Sequence, residues 1–118
     1  MFLNLSNHPV AKWSPKQLEA AEKLGNHVID VPFPNVASTA TTEDVAEMAK
    51  SIVAGLPPSY KIDYAMVQGE STLCWELWRR LIALGWTVVV ACSERQVEEV
   101  DGKKVVTFEF IQFRTLRN

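Results

Sequence analysis

The stretch Ile62-Asp63-Tyr64-Ala65-Met66-Val67-Gln68-Gly69-Glu70-Ser71-Thr72-Leu73 decides the fold class. It opens on an apolar run, Ile62 to Val67, and turns polar at Gln68. It then passes through Ser71 and Thr72 into Leu73, Leu77, Leu81 and Leu84, which recur at helical spacing until Gly85. A short apolar run followed by turn residues reads as a strand, and hydroxyl side chains ahead of an i, i+4 stripe read as a helix start. The spacing predicts strand, polar loop and helix in succession, with Ser71 or Thr72 as the cap. Trp86 to Ala91, nearly all apolar, follows as a strand buried on both faces. Strand, helix and buried strand in that order make one crossover of a parallel sheet.

The same alternation extends upstream. Phe2 to Leu5 reads as a first strand, and Ser14-Pro15-Lys16-Gln17 as a helix start, with Ser14 capping, Pro15 at the first helical position and Gln17 completing a capping box. Leu18, Ala21 and Leu24 carry that helix to Gly25, expected in the left-handed stop position. His27 to Val31 is a second strand, ended by Pro32 and Pro34. Thr41 or Thr42 caps a second helix whose stripe is Val45, Met48, Ala49, Ile52 and Val53, closed by Gly55 and Pro57-Pro58. Downstream, Gln96 to Val100 and Lys104 to Phe113 are two further β segments joined by Asp101-Gly102, a hairpin signal. The order predicts a single α/β domain over residues 1–118. Its expected form is a three-layer Rossmann-like sandwich, with a mostly parallel sheet of four strands, three helices and a C-terminal β-hairpin.

The hairpin carries an irregularity. Val106, Phe108 and Phe110 share one parity, whereas Ile111 and Phe113 break it. Either a bulge or burial on both sides accounts for this, or the hairpin packs on a second subunit. Trp75 and Trp78 on the third helix are candidate interface aromatics, with core packing expected for at least one.

At 118 residues the chain is long enough for one core and too short for two. A net charge of −2 gives no basic face for long nucleic acid, although a compact anion is still accommodated by helix N-termini. The apolar start, Met1 to Leu5, reads as a strand rather than a signal peptide, no run is long enough to span a bilayer, and cytoplasmic residence is the expectation. Cys74 and Cys92 read as buried structural thiols, and two histidines without a CxxC pair do not suggest zinc. The loops lack the glycine and lysine spacing of Walker and dinucleotide fingerprints and the GxSxG elbow of hydrolases, so no cofactor is implied.

In open α/β sheets, ligands bind outside the carboxyl ends of the strands where strand order reverses. With the first two helices on opposite faces, that point falls between the first and third strands. The loops meeting there are Ser6-Asn7-His8-Pro9 and Gln68 to Thr72. Gly69 admits close backbone approach, and Ser71 and Thr72 either cap the helix or contact an anion. His8 is either a turn histidine or a general acid or base. Glu70 is the second proton-transfer candidate. Asn4, between two leucines, sits at a bulge or faces the site, while His27 is structural. Trp13 stacks on a base or serves as a hydrophobic staple, and Glu94 and Arg95 complete the polar rim as a solvated pair or a functional one.

Phe2-Leu3-Asn4-Leu5-Ser6-Asn7-His8-Pro9, Trp13-Ser14-Pro15-Lys16-Gln17 and Gln68-Gly69-Glu70-Ser71-Thr72 together give the chain a resemblance. It resembles the small CRISPR-associated Rossmann-fold (CARF) proteins, which include stand-alone ring nucleases and cyclic oligoadenylate binders. The resemblance implies a homodimer with a two-fold axis over the strand ends. A cyclic tetra- or hexa-adenylate, tetra-adenylate first, would lie across both subunits in antiviral signalling. It also implies metal-independent cleavage by the ribose 2′-hydroxyl on the adjacent phosphate, leaving a 2′,3′-cyclic phosphate, or sequestration of the ring intact. Ser6, Asn7, Ser71 and Thr72 would then contact phosphate, and His8 or Glu70 would transfer the proton. Two other classes fit the same residues. One is a nucleotide- or sugar-phosphate-processing enzyme using Glu70 or Glu94, and the other is a non-enzymatic dimerisation or adaptor module.

Overall fold

The computed structural model describes residues 1–57 and 63–117. The elements are β1 (Phe2–Ser6), a 3-10 turn (Val10–Lys12), α1 (Pro15–Gly25), β2 (Val28–Pro32), α2 (Thr42–Ala54), β3 (Tyr64–Gln68), α3 (Ser71–Ala83), β4 (Thr87–Val100) and β5 (Lys103–Thr115). Ile62 and Pro58, expected to start the third strand and to stop the second helix, lie outside the described residues. One five-stranded sheet has the order β2-β1-β3-β4-β5. The first four strands run parallel and β5 runs antiparallel to β4. The α/β class is as expected, but the sheet is mixed and has five strands, and the hairpin expected at Asp101-Gly102 is formed within it by β4 and β5. The segments expected at Trp86 to Ala91 and Gln96 to Val100 are one strand of 14 residues. No Pro or Gly interrupts the chain between them, so the ladder continues.

Strand alternation sorts the core into two layers. Leu3 and Leu5 of β1, with Ala65, Val67 and Val88, face Val45 and Ala49 of α2 and Leu73, Leu77 and Leu81 of α3. Phe2, Met66 and Val89 face the other way, toward Ala21 of α1. Helices therefore cover both faces, α2 and α3 on one and α1 on the other. Strand order reverses between β1 and β3, where the sequence placed the switch point.

The helix ends show what local sequence can specify. Thr41 accepts from the Asp44 amide at 3.1 Å, and the Asp44 carboxylate accepts from the Thr41 amide at 3.0 Å, closing a capping box on α2. Ser14 caps α1 by accepting from the Gln17 amide at 3.2 Å. That box is not closed, because the Gln17 side chain is directed to the Met66 sulfur at 3.8 Å. The left-handed stop of α1 is Asn26, with φ 64°, and not Gly25. Gly25 is needed for space, since a Cβ there would lie 2.7 Å from the Met1 carbonyl carbon and oxygen and 2.8 Å from the Phe2 amide nitrogen.

At the hairpin end, Cys92 pairs with Gln112 and Ser93 with Phe110, so Ile111 is an extra residue on β5. This bulge explains the parity break read from sequence. It returns Phe113 to the face of Phe108 and Phe110, and the Phe110 and Phe113 rings lie 4.8 Å apart. Trp78 is half-buried and donates its indole N–H to the Val67 carbonyl at 3.0 Å, whereas Trp75 is exposed. Cys74 is buried as expected, but Cys92, beside the bulge, is only half-buried. No helix among the described residues is long and apolar enough to cross a membrane.

Gly25→Ala should lower the free energy of unfolding by about 2 kcal/mol or more, because the added methyl meets backbone that cannot move aside. Gly55→Ala, where the new Cβ would stand 3.5 Å from the Ser51 carbonyl oxygen, should be neutral or slightly stabilising. Urea denaturation of both variants reads the difference as a shifted midpoint.

Candidate ligand cleft beside the switch point

Asn4 organises the loop after β1. It is buried in straight register between Asp30 and Met66, so no bulge places it there. A buried amide must find partners. Its Nδ2 donates to the His8 carbonyl at 2.7 Å and to Asp30 Oδ1 at 2.9 Å. Its Oδ1 accepts from the Ser6 hydroxyl at 2.6 Å. The Ser6 hydroxyl in turn accepts from the His8 amide at 3.2 Å, and Asp30 Oδ1 accepts from the Val10 amide at 3.1 Å. The Trp13 indole N–H donates to the same His8 carbonyl at 3.0 Å. Its ring meets Phe2 edge-on, with centroids 6.1 Å apart. Ser6 and Trp13 thus hold the loop, and Asp30, unremarked in the sequence, is the anchor that ties it to β2.

A cleft of about 660 Å³ opens on the α1 face beyond this network. His8, Lys12, Trp13, Gln17, Gln68 and Ser93 line it, with Phe108 and Phe110 of β5 forming the far wall. Gln68 is placed there by the divergence of β3 from β4. Their ladder ends at Met66 and Val89, and the Gln68 Oε1 accepts from the Ala91 amide at 2.8 Å, bridging the gap. His8, Trp13 and Gln68 are therefore brought together. Lys12, Gln17, Ser93, Phe108 and Phe110 are additions that the loops alone do not reveal. The shared parity of Phe108 and Phe110 was the available signal for the wall.

The other candidates lie elsewhere. Ser6 and Asn7 border a shallower depression of about 300 Å³ with Asp30 and Phe33. Ser71 and Thr72 line a depression of about 410 Å³ between α2 and α3, with Thr41 and Trp75. Gly69 serves packing, as a Cβ there would come within 2.6 Å of the Phe33 ring. Glu94 and Arg95 are successive exposed residues of β4, so their side chains diverge to opposite faces, with Glu94 opposite Glu109 and Arg95 opposite Phe108. They form neither a pair nor the rim of a strand-end loop.

Glu70 is the cap of α3, a place the sequence reading assigned to Ser71 or Thr72. Its carboxylate accepts from the Thr72 amide at 3.0 Å and the Leu73 amide at 2.8 Å, and Thr72 Oγ1 donates to it as well. The Thr72 hydroxyl and the Leu73 and Thr72 amides hold its pKa below the ordinary carboxylate value. The helix terminus is already filled by an anion of the chain itself, and an incoming phosphate would meet like charge. Glu70 is thereby occupied as a cap. Nearby, burial pushes the Cys74 thiol up to about 11, which makes it a poor nucleophile.

The sequence profile of the uncharacterized protein MJ1673 family matches residues 1–114. The chain belongs to the MJ1673 family. No curated protein and no solved structure matches it. The span of the MJ1673-family match includes every residue of the Asn4 network and of the cleft wall.

Asn4→Ala should destabilise the protein by about 2–3 kcal/mol, because the Ser6 hydroxyl loses its closest acceptor and Asp30 and the His8 carbonyl each lose a donor; thermal unfolding measures this. Glu70→Gln should lower the melting temperature at neutral pH. A lowered carboxylate pKa means the contribution is complete above the ordinary value and is lost as pH falls through the lowered one. The melting temperatures of wild type and Glu70→Gln should therefore converge in acid.

Proposed function

We propose that this protein binds a cyclic oligoadenylate, tetra-adenylate first, in the cleft on the α1 face, as a homodimer of Rossmann-like subunits of the CARF type. The observation that carries the reading is the composition of the cleft at the switch point. The exposed Phe108 and half-buried Trp13 offer aromatic surface, Lys12 a cation, and Gln17, Gln68 and Ser93 hydrogen-bonding groups, around one volume that the buried Phe110 helps to wall. Aromatic faces take stacked bases at about 1–3 kcal/mol per base. A lysine takes phosphate as a point charge, and the amides read base edges. The order β2-β1-β3-β4 with helices on both faces supports the Rossmann-like description.

The proposed reaction is a metal-independent ring opening. The 2′-hydroxyl oxygen of one ribose bonds to the adjacent phosphorus as the bond from phosphorus to the 5′-oxygen breaks. The 2′-proton passes to His8, and the 5′-oxygen takes a proton from solvent. No atoms are gained overall, and the product is linear with a 2′,3′-cyclic phosphate. Orientation and charge stabilisation dominate such a step. In this reading Lys12, which lines the cleft, answers the developing charge, and the loop held by Asn4 fixes the backbone of His8. Glu70, engaged as a cap, is left out of the mechanism, as are the contact roles of Ser71 and Thr72 in the depression on the other side of the sheet. The reading as a phosphate-processing enzyme built on Glu70 or Glu94 gains nothing from their surroundings. The exposed ribbon of β4 and β5 does favour a dimerisation module as the second reading.

Incubation with cyclic tri-, tetra- and hexa-adenylate in EDTA, followed by thermal shift and chromatography, tests the proposal. Stabilisation by tetra-adenylate and a linear product are expected. Phe108→Ala should weaken binding roughly tenfold, the loss of one stacking contact. His8→Ala should retain binding and abolish product. An intact ring on a stabilised protein removes the cleavage step, and no shift with any ring removes the binding reading.

A further inference from the structure

The sheet has one long open edge. Among the described residues β5 is last in the strand order and pairs with β4 on one side only. It is 13 residues long, and the β4–β5 ribbon continues well past Met66 and Val89, where β3 and β4 part. At the usual rise per residue, the arm of β4 from residue 92 to 100 extends about 30 Å. An edge strand of this length presents a row of free N–H and C=O groups. The ribbon is not blunted by polarity at its centre. Val97, Val105, Val106 and Phe108 are exposed, Phe108 to 70%.

Its charges are arranged by end. β5 begins at Lys103-Lys104, at the tip, and carries Glu109 near the body. Glu109 stands directly opposite Glu94 on β4, a like-charge pair that costs stability unless countered. Glu109 Oε2 accepts from the Gln96 side-chain amide at 2.7 Å, and the nearest cation, Lys16 of α1, lies 3.9 Å from Oε1. Over residues 103–109, the outer half of β5, the edge is thus basic at the tip, largely apolar between and acidic at Glu109, which is self-complementary under antiparallel pairing.

We infer that a second copy of this chain docks on this edge, β5 against β5, about a two-fold axis passing through Val106. This deepens the dimer part of the proposed function and rests on that reading only there. A two-fold axis perpendicular to the sheet preserves the faces, so residues set opposite each other must share parity. Centring on Val106 places Lys103 opposite Glu109 of the partner subunit, Lys104 opposite Phe108 of the partner subunit, and Val105 opposite Thr107 of the partner subunit. These are an ion pair, a cation on an aromatic face and a β-branched pair. Centring on Val105 would set Asp101 against Glu109 of the partner subunit. Centring on Thr107 would set Lys104 against Phe110 of the partner subunit and leave Glu109 facing Val105 of the partner subunit. The Val106 register alone of these three satisfies both charges.

The arrangement also completes the cleft. The axis keeps both α1 faces on the same side of the joined sheet, and Lys104 shares parity with the cleft-lining Phe108 and Phe110. Each cleft wall then receives Lys104 of the partner subunit beside Phe108, across that ring from Arg95 of the same chain. One cyclic ligand could reach both clefts without crossing the sheet.

Sedimentation velocity without ligand tests the interface. Wild type should be a dimer. Lys103→Glu and Glu109→Lys, at exposed positions, should each weaken dimerisation about tenfold or more, as two equivalent pairs per dimer become repulsive. The double variant, Lys103→Glu with Glu109→Lys, should restore it. A monomeric wild type, single variants that dimerise normally, or a double variant that stays dissociated would each overturn the inference. Its failure is distinguishable from failure of the cleft reading. A dimer that binds no oligoadenylate sinks the cleft and leaves the interface, whereas a monomer that binds one sinks the interface and leaves the cleft.

Discussion

The amide of Asn4 is the constraint on which the site depends. It lies in the middle of β1, with apolar neighbours on either side in sequence, and a buried amide left without partners costs more than most single contacts return. Satisfying it draws in Asp30 from β2, Ser6 from the strand end and the carbonyl of His8 from the following loop. The loop is thereby closed back on the sheet, and the carbonyl it offers also receives the Trp13 indole, which sets the entry of α1. One polar residue in a hydrophobic strand positions a histidine, a tryptophan and a helix together.

The second constraint is the length of β4. A strand that continues past its parallel neighbour must pair with something, and the chain supplies β5 by turning back at Asp101-Gly102, both with positive φ. The extra residue at Ile111 then keeps three phenylalanines on one face across the change of register. Phe113 joins Phe2 in the α1-face core, with ring centroids 5.0 Å apart, while Phe110 and Phe108 carry the apolar face outward into the cleft wall. Core and cleft wall are one continuous aromatic row, separated by how far the ribbon has left the body.

Electrostatics distinguishes the two faces of the sheet. At the start of α3 the helix dipole is already answered by Glu70, whose carboxylate bonds two backbone amides and the Thr72 hydroxyl. An anionic ligand gains little there. On the α1 face Lys12 supplies the positive charge, at the end of a short 3-10 turn directly after the loop that Asn4 holds. The polar loop that looks most like a phosphate cradle in sequence is thus closed from within, and the less conspicuous one stays open.

The sequence by itself determined the α/β class, the three helices and the place where the sheet reverses, since these follow from local periodicity, caps and handedness. Ser14, Pro15 and the Thr41 to Asp44 box act within one turn and are legible without any partner. The tertiary structure alone decided which of several local options each polar residue took. Glu70 and Ser71 were both able to cap α3, and carboxylate reach to two amides settled it. Ser6 and Gly69 looked available for a ligand until Asn4 and the Phe33 ring were brought against them, whereas Gln68 keeps its place in the cleft with its Oε1 held by the Ala91 amide. Lys12, Ser93 and Phe108 are far apart in the chain and belong to one cleft only because β4 outruns β3 and folds back. Local order is written in neighbours along the chain, whereas a site is made by residues that only the sheet makes neighbours.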